Sequence, residues 1–299
     1  MRKTRLILIF VAAAMLILTL VGCKDEKKPT EPDIDAPAGM VYVRGGTFTM
    51  GGTRDEDNEH IPPHKVTLSP FFIGKYEITQ AEYTQFMPPV EEWVSDFGLG
   101  DNYPAYGISW YEVIKYCNLR SIAESLTPCY TINGSTNPAD WGEVTAESLE
   151  TWNAAICNFS ANGYRMPTEA EWEYAARGAT NKPDYLFSGS DDFQAVGWFA
   201  DNNIGGTINP VGGKAPNGIG TYDMSGNVNE WCWDWFDETY YTNSPQNNPT
   251  GPESGILRVV RGGNWHFYSG VCYVSNRYHF DPGASSILNG FRICRSITD

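Results

Sequence analysis

The chain alternates short apolar stretches with long polar, glycine-rich ones. Met40–Met50 (MVYVRGGTFTM) alternates apolar and polar residues about Gly45-Gly46, which predicts a β-hairpin. Val66–Tyr76 reads as a strand, and Thr79 caps a helix beginning near Gln80. Ser109–Glu124 places Trp110, Val113, Ile114 and Cys117 at helical spacing behind a serine cap. Thr168–Arg177 is a second helix, with Thr168 as N-cap and Glu171 as its capping-box partner. Trp172 and Tyr174 face its core, and capping plus a solvated face account for Glu169, Glu171 and Glu173. Ser125–Asn162, with Cys129 near its start and Cys157 near its end, reads as an excursion. Tyr130–Asp140 and Asn202–Gly220 read as long surface loops.

The N-terminus differs in kind. MRKTR precedes an apolar run from Leu6 to Leu18, which is short for a membrane span, and then Leu20-Val21-Gly22-Cys23. Residues 1–22 therefore predict a lipoprotein signal with Cys23 lipidated and the protein held to a membrane surface through its acyl chains. Residues 23–38, rich in charge and proline, form a disordered tether, and residues 39–299 form one folded domain. The expected location is exported and lipid-anchored, at the outer membrane. Removing Arg2, Lys3 and Arg5 with the signal lowers the formal charge from −15 to −18. That charge excludes nucleic acid as a partner. Thirty glycines and 14% aromatic residues fit short strands and turns around an aromatic core.

The densest chemistry lies in Asn217–Trp235, NGIGTYDMSGNVNEWCWDW, where carboxylate and amide oxygens sit among glycines. Such a stretch can wrap a hard cation such as Ca²⁺. His60 and His64 are four apart, but Pro62-Pro63 between them rules out a shared helical face, so both are placed in a loop. Gly218-Ile219-Gly220 lacks the strand and acidic partner of a dinucleotide site, and no G-x-S-x-G or HExxH occurs.

GTYDMSGNVNEW followed by DW resembles the sulfatase-modifying-factor family, whose namesake is the formylglycine-generating enzyme. The resemblance continues in order through Gly45–Gly52, Phe71–Tyr83, Gly163–Gly178, Arg258–Trp265 and Asn289–Ser296. It implies an α+β, C-type-lectin-like fold with little regular secondary structure. It implies a structural calcium site at Asp223, Met224, Gly226, Val228 and Glu230, the middle three through backbone oxygens. It also implies a disulfide between Cys117 and Cys294. Cys129 and Cys157, which bracket the excursion, make a natural second pair.

In the family's oxidases, two cysteines after a GGS motif bind Cu(I), which suits soft thiolates. The matching positions are Phe267 and Cys272. A phenyl ring cannot ligate copper, the GGS serine is Asn264, and a family tryptophan is Asn229. Cys272 is then either a surviving thiol or the partner of Cys232, and the disulfide is preferred outside the cell. The resulting reading is a binding or scaffolding module without oxidase activity. It would hold a peptide, protein or glycan in a groove near Asn264, Trp265, Phe267 and Tyr273. The alternatives are an oxidase of protein cysteine acting through Cys272 and a component of a surface machine for gliding or secretion.

Overall fold

The computed structural model describes residues 34–52, 62–143, 150–180, 183–203 and 205–298. Cys23 and His60 lie outside them, as do the signal segment and most of the tether. Residues Asp35–Asp299 form one compact unit. Among the described residues, no helix is long and apolar enough to cross a membrane.

In chain order the strands are β1 (Met40–Val43), β2 (Gly46–Met50), β3 (His64–Leu68), β4 (Phe71–Gly74), β5 (Tyr130–Thr131) and β6 (Ile156–Cys157). They continue with β7 (Tyr164–Arg165), β8 (Asn229–Trp235), β9 (Arg258–Arg261), β10 (Tyr278–Phe280), β11 (Asn289–Gly290) and β12 (Cys294–Ser296). The helices are α1 (Gln80–Tyr83), α2 (Trp110–Ala123), α3 (Glu150–Asn153), α4 (Glu169–Ala176), α5 (Phe193–Val196) and α6 (Tyr240–Asn243). Two four-stranded sheets, ordered β1-β4-β12-β7 and β10-β9-β8-β11, are joined by the ribbons β2-β3 and β5-β6.

All three capped helices form. Thr79, Ser109 and Thr168 each accept a backbone N–H from the third helical residue, Glu82, Glu112 and Glu171, whose carboxylate returns to the cap. The hairpin expectation at Met40–Met50 is corrected. β1 pairs with β4 and β2 with β3, so the two halves enter different sheets. Alternation marks a strand without choosing its partner. Ser69-Pro70 splits the stretch read as one strand into β3 and β4, so each half takes one of the earlier strands. His64 is placed on β3 rather than in a loop, its ring 4.4 Å from that of Tyr241.

α4 carries a second correction. Glu169, Glu171 and Glu173 do not face solvent; they are 1%, 9% and 0% exposed. Each carboxylate meets a buried arginine from elsewhere in the chain. Arg277 grips Glu169 at 2.7 and 2.9 Å, and Arg165 grips Glu171 at 2.6 and 2.8 Å. Arg261 meets Glu173 at 2.5 Å, with Arg177 on its other oxygen at 2.8 Å. A buried carboxylate persists only when so paired.

Tryptophans tie the sheets to the helices. Trp110 on α2 donates to the Cys232 carbonyl (3.0 Å), and Trp231 on β8 donates to the Ile108 carbonyl (2.8 Å). Stacked Tyr83 and Tyr116, with Phe291 edge-on to both, fill the core beneath α2.

Candidate functional site

The loop before β8 turns on left-handed residues, Asp223, Gly226 and Asn227, at φ of 57°, 88° and 61°. Gly226 is required there, because a Cβ would lie 2.2 Å from the Trp198 carbonyl oxygen. This turn brings Asp223 towards Glu230 and adds Glu77, from the FFIGKYEITQAEY block, to the same buried group. Glu77 accepts from the Asn227 side chain (2.7 Å) and the Val228 backbone (3.2 Å). Burial, then the charges of Asp223 and Glu230, hold its carboxyl well above the usual range. Burial lifts Asp223 to about 6.

Glu230 is not an open ligand. Both of its oxygens are held by Arg292, at 2.5 and 2.6 Å, and one also accepts from Trp172 at 2.7 Å. Asp223 differs, since Oδ2 takes the Gly212 backbone N–H at 2.6 Å while the buried Oδ1 has no partner. The calcium expectation therefore fits at Asp223 and not at Glu230. Among the described residues, no group of three or more His, Cys, Asp or Glu side chains is placed to hold a metal.

The second candidate site is a cavity of about 500 Å³ between β9, β10 and the segment after Gly263. Gly263, at φ 73°, lets the chain turn over Cys272, whose Sγ would lie 2.6 Å from an added Cβ. The wall is aromatic: Phe267, Tyr268, Tyr278 and Phe280 are 45%, 65%, 36% and 36% exposed. Deeper in the lining lie three buried amides, Asn229, Asn264 and Asn289. The parallel pairing of β11 with β8 sets Asn289 directly opposite Asn229.

Of the expected groove residues, Asn264 and Phe267 line this cavity. Trp265 is 5% exposed and packs toward Phe97, while Tyr273 packs on Phe187 at 5.2 Å. Tyr268, Tyr278, Phe280 and Asn289 were missed. The YHF run at 278–280 was the signal, three exposed ring residues in succession.

Cys272 is fully buried in a small core with Phe187, Val196 and Phe199 and does not line the cavity. Burial pushes its thiol up to about 12, against the Asn264 backbone N–H, which pulls the other way. An oxidisable or metal-binding cysteine needs accessible thiolate.

The six cysteines of the domain, expected in disulfides, stand as free thiols in this structure. Cys117 belongs to the core beneath α2, whereas Cys294 packs with Cys232 in the core beneath α4, and Cys272 is in the small third core. Cys157 lies opposite Tyr130, the neighbour of Cys129, across the β5-β6 ribbon, and Cys117, Cys129 and Cys157 are near enough to disfavour one another's thiolates. In native protein, iodoacetamide is expected to modify all six slowly, because burial pushes every one of these thiols up, that of Cys157 included. Unfolding without reductant should then release all six, and peptide mass spectrometry would count them. A disulfide-linked peptide would overturn this.

Comparison with known proteins places these features. The model of the sulfatase-modifying factor enzyme 1-like domain matches residues 26–297. The chain is 34% identical to the chaperone protein LppX of Paenibacillus barcinonensis, over 99% of this chain and 100% of that one. It is 30% identical to the formylglycine-generating enzyme of Thermomonospora curvata, over 85% and 92% of the two chains. Among solved structures, Treponema denticola variable protein 1 superposes with a TM-score of 0.78 at 33% identity, covering 86% of this chain and 95% of that one.

Proposed function

The chain belongs to the sulfatase-modifying factor enzyme 1-like domain family, and we propose that this member is a binding module of the cell envelope without oxidase activity, holding a segment of another polypeptide in the aromatic cavity. The observation that carries this is Phe267. It stands in the cavity wall where the family's oxidases need a copper-binding sulfur, while Cys272 is sealed beneath. A polypeptide partner also agrees with the word chaperone in the name of the relative matched along nearly its whole length.

The test is a labelled peptide containing Cys-x-Pro-x-Arg, incubated with the protein, copper and O₂. No aldehyde product is expected. Turnover that disappears in Cys272→Ser would overturn the proposal in favour of an oxidase.

Two further parts of the reading come from the sequence. Cys23 carries lipid and holds the domain at the outer membrane; metabolic palmitate labelling that survives Cys23→Ser would sink this. Calcium, if held, is held by Asp223 with Glu77 beside it, where it would neutralise excess buried carboxylate. Without calcium, a folded carboxyl raised to about 6 stabilises the protein below the unfolded pKa near 4, and that contribution is lost as pH rises through 6. Calcium opposes that loss, so millimolar Ca²⁺ should raise Tm at pH 8 and have little effect at pH 5. An equal shift at both pH values, or an undiminished one in Asp223→Asn, would exclude this site.

A further inference from the structure

The three amides of the cavity form a directed relay. The backbone N–H of His266 donates to Asn264 Oδ1 at 3.0 Å, which fixes the orientation of that side chain. Asn264 Nδ2 then donates to Asn229 Oδ1 at 3.3 Å, and Asn229 Nδ2 donates to Asn289 Oδ1 at 2.9 Å. Each amide oxygen in turn accepts one hydrogen bond from the preceding link. The relay ends at Asn289 Nδ2, a donor on a side chain 1% exposed, lining the cavity, with no hydrogen-bond partner. Flipping the last amide alone would set two NH₂ groups against each other, so the anchored end dictates the free end.

A buried donor without an acceptor carries a desolvation cost, which a bound acceptor oxygen removes. The rest of the lining restricts what brings that oxygen. It contains no Asp, Glu, Lys or Arg, and its one imidazole, His279, lies against the Phe236 ring at 4.3 Å, so a carboxylate or ammonium deep in it would be desolvated without a fixed counter-charge. Aromatic and aliphatic side chains, among them Phe267, Tyr278, Val271 and Leu288, supply apolar contact instead. Each of the three amide oxygens already accepts one hydrogen bond within the relay, so the unpartnered group the relay presents is a donor and calls for an acceptor oxygen such as a peptide carbonyl.

We infer that the cavity takes an uncharged apolar peptide segment, one of whose carbonyl oxygens accepts from Asn289 Nδ2. This rests on the binding-module reading and names its ligand class. Asn289 thereby becomes the specificity-determining residue, with Phe267 and Tyr278 as the apolar clamp.

The probe is acetyl-Leu-Phe-amide, compared with acetyl-Asp-Glu-amide and diacetylchitobiose, added to the full domain. Binding of the first is expected to move the Asn289 side-chain NH₂ signal downfield in NMR, a readout on the unsubstituted protein. Asn289→Asp keeps the oxygen that accepts from Asn229 and replaces the donor by an acceptor. It should weaken the apolar peptide by about tenfold or more. Tyr278→Ala, at the exposed rim, should weaken it while leaving the Asn289 signal of the free protein in place. If Tyr278→Ala weakens binding and Asn289→Asp does not, the module reading stands and the role of Asn289 falls. Tighter binding of the acidic peptide or the sugar overturns the ligand class. No response to any of the three probes overturns the inference, whereas only copper-dependent turnover removes the non-oxidase reading beneath it.

Discussion

Replacing Arg292 by methionine is expected to destabilise the domain by about 3–5 kcal/mol, the usual cost of leaving one half of a buried ion pair unpaired. Arg292 is fully buried, and its guanidinium satisfies both oxygens of Glu230 and the carbonyls of Gly74 and Tyr222. It is also the cation facing three buried carboxylates, those of Glu77, Asp223 and Glu230. Without it, the three acidic groups share a buried site with no cation, Glu77 is driven further towards its neutral form, and the Gly74 and Tyr222 carbonyls lose donors. Urea unfolding at pH 7.5 in chelator would measure the loss. The double variant Arg292→Met with Glu230→Gln removes the orphaned charge and should recover a substantial part of it. If the single variant costs less than about 1 kcal/mol, roughly an exposed pair's contribution, the pair does not organise the core.

How far such features can be read from the sequence depends on their range. Helix caps are local, and Thr79, Ser109 and Thr168 cap their helices as the sequence predicts, Thr168 with the expected Glu171 partner and the other two with Glu82 and Glu112 completing boxes as well. The six ordered family blocks carry the fold. Partnership across the chain is another matter. Nothing local in MVYVRGGTFTM says that β1 seeks β4, because period-two alternation is the same for every partner. The acidic positions of α4 look like a solvated face for a similar reason, since their arginines lie at 165, 261 and 277. The cysteine count suggests disulfides, but only the folded chain shows Cys117 in one core, Cys232 and Cys294 in a second and Cys272 in a third.

The candidate site shows the same limit. Phe267 and Asn264 are visible as departures from the family motif, and the loss of a copper ligand follows from one phenyl ring. Asn289 belongs to an ordinary-looking NGF stretch. Its meaning appears only when β11 pairs in parallel with β8 and sets it against Asn229. Asn264 and Asn229, which stand where the family's motifs carry serine and tryptophan, are consecutive links of the relay.

The second large effect is expected at Arg261, which joins the ion-pair framework to the cavity. It closes β9 immediately before Gly262-Gly263 and is fully buried. Its Nη2 reaches Glu173 at 2.5 Å and the Val274 carbonyl at 2.9 Å, and its Nη1 reaches the carbonyls of Ser275 and Asn276. One guanidinium therefore fixes the return of the segment whose outward part, Phe267 to Val271, walls the cavity. Arg261→Met should cost about 3–5 kcal/mol and also raise amide hydrogen exchange across residues 264–278. Glu173→Gln should cost less, because Arg261 keeps its three carbonyls and Arg177 keeps Asp184 and the Gly51 carbonyl. The order Arg261→Met above Glu173→Gln, with exchange concentrated in 264–278, distinguishes a strut for the cavity wall from a general core defect. Exchange rising evenly over β1, β4 and β12 would show that the pair supports the fold as a whole and the cavity only incidentally.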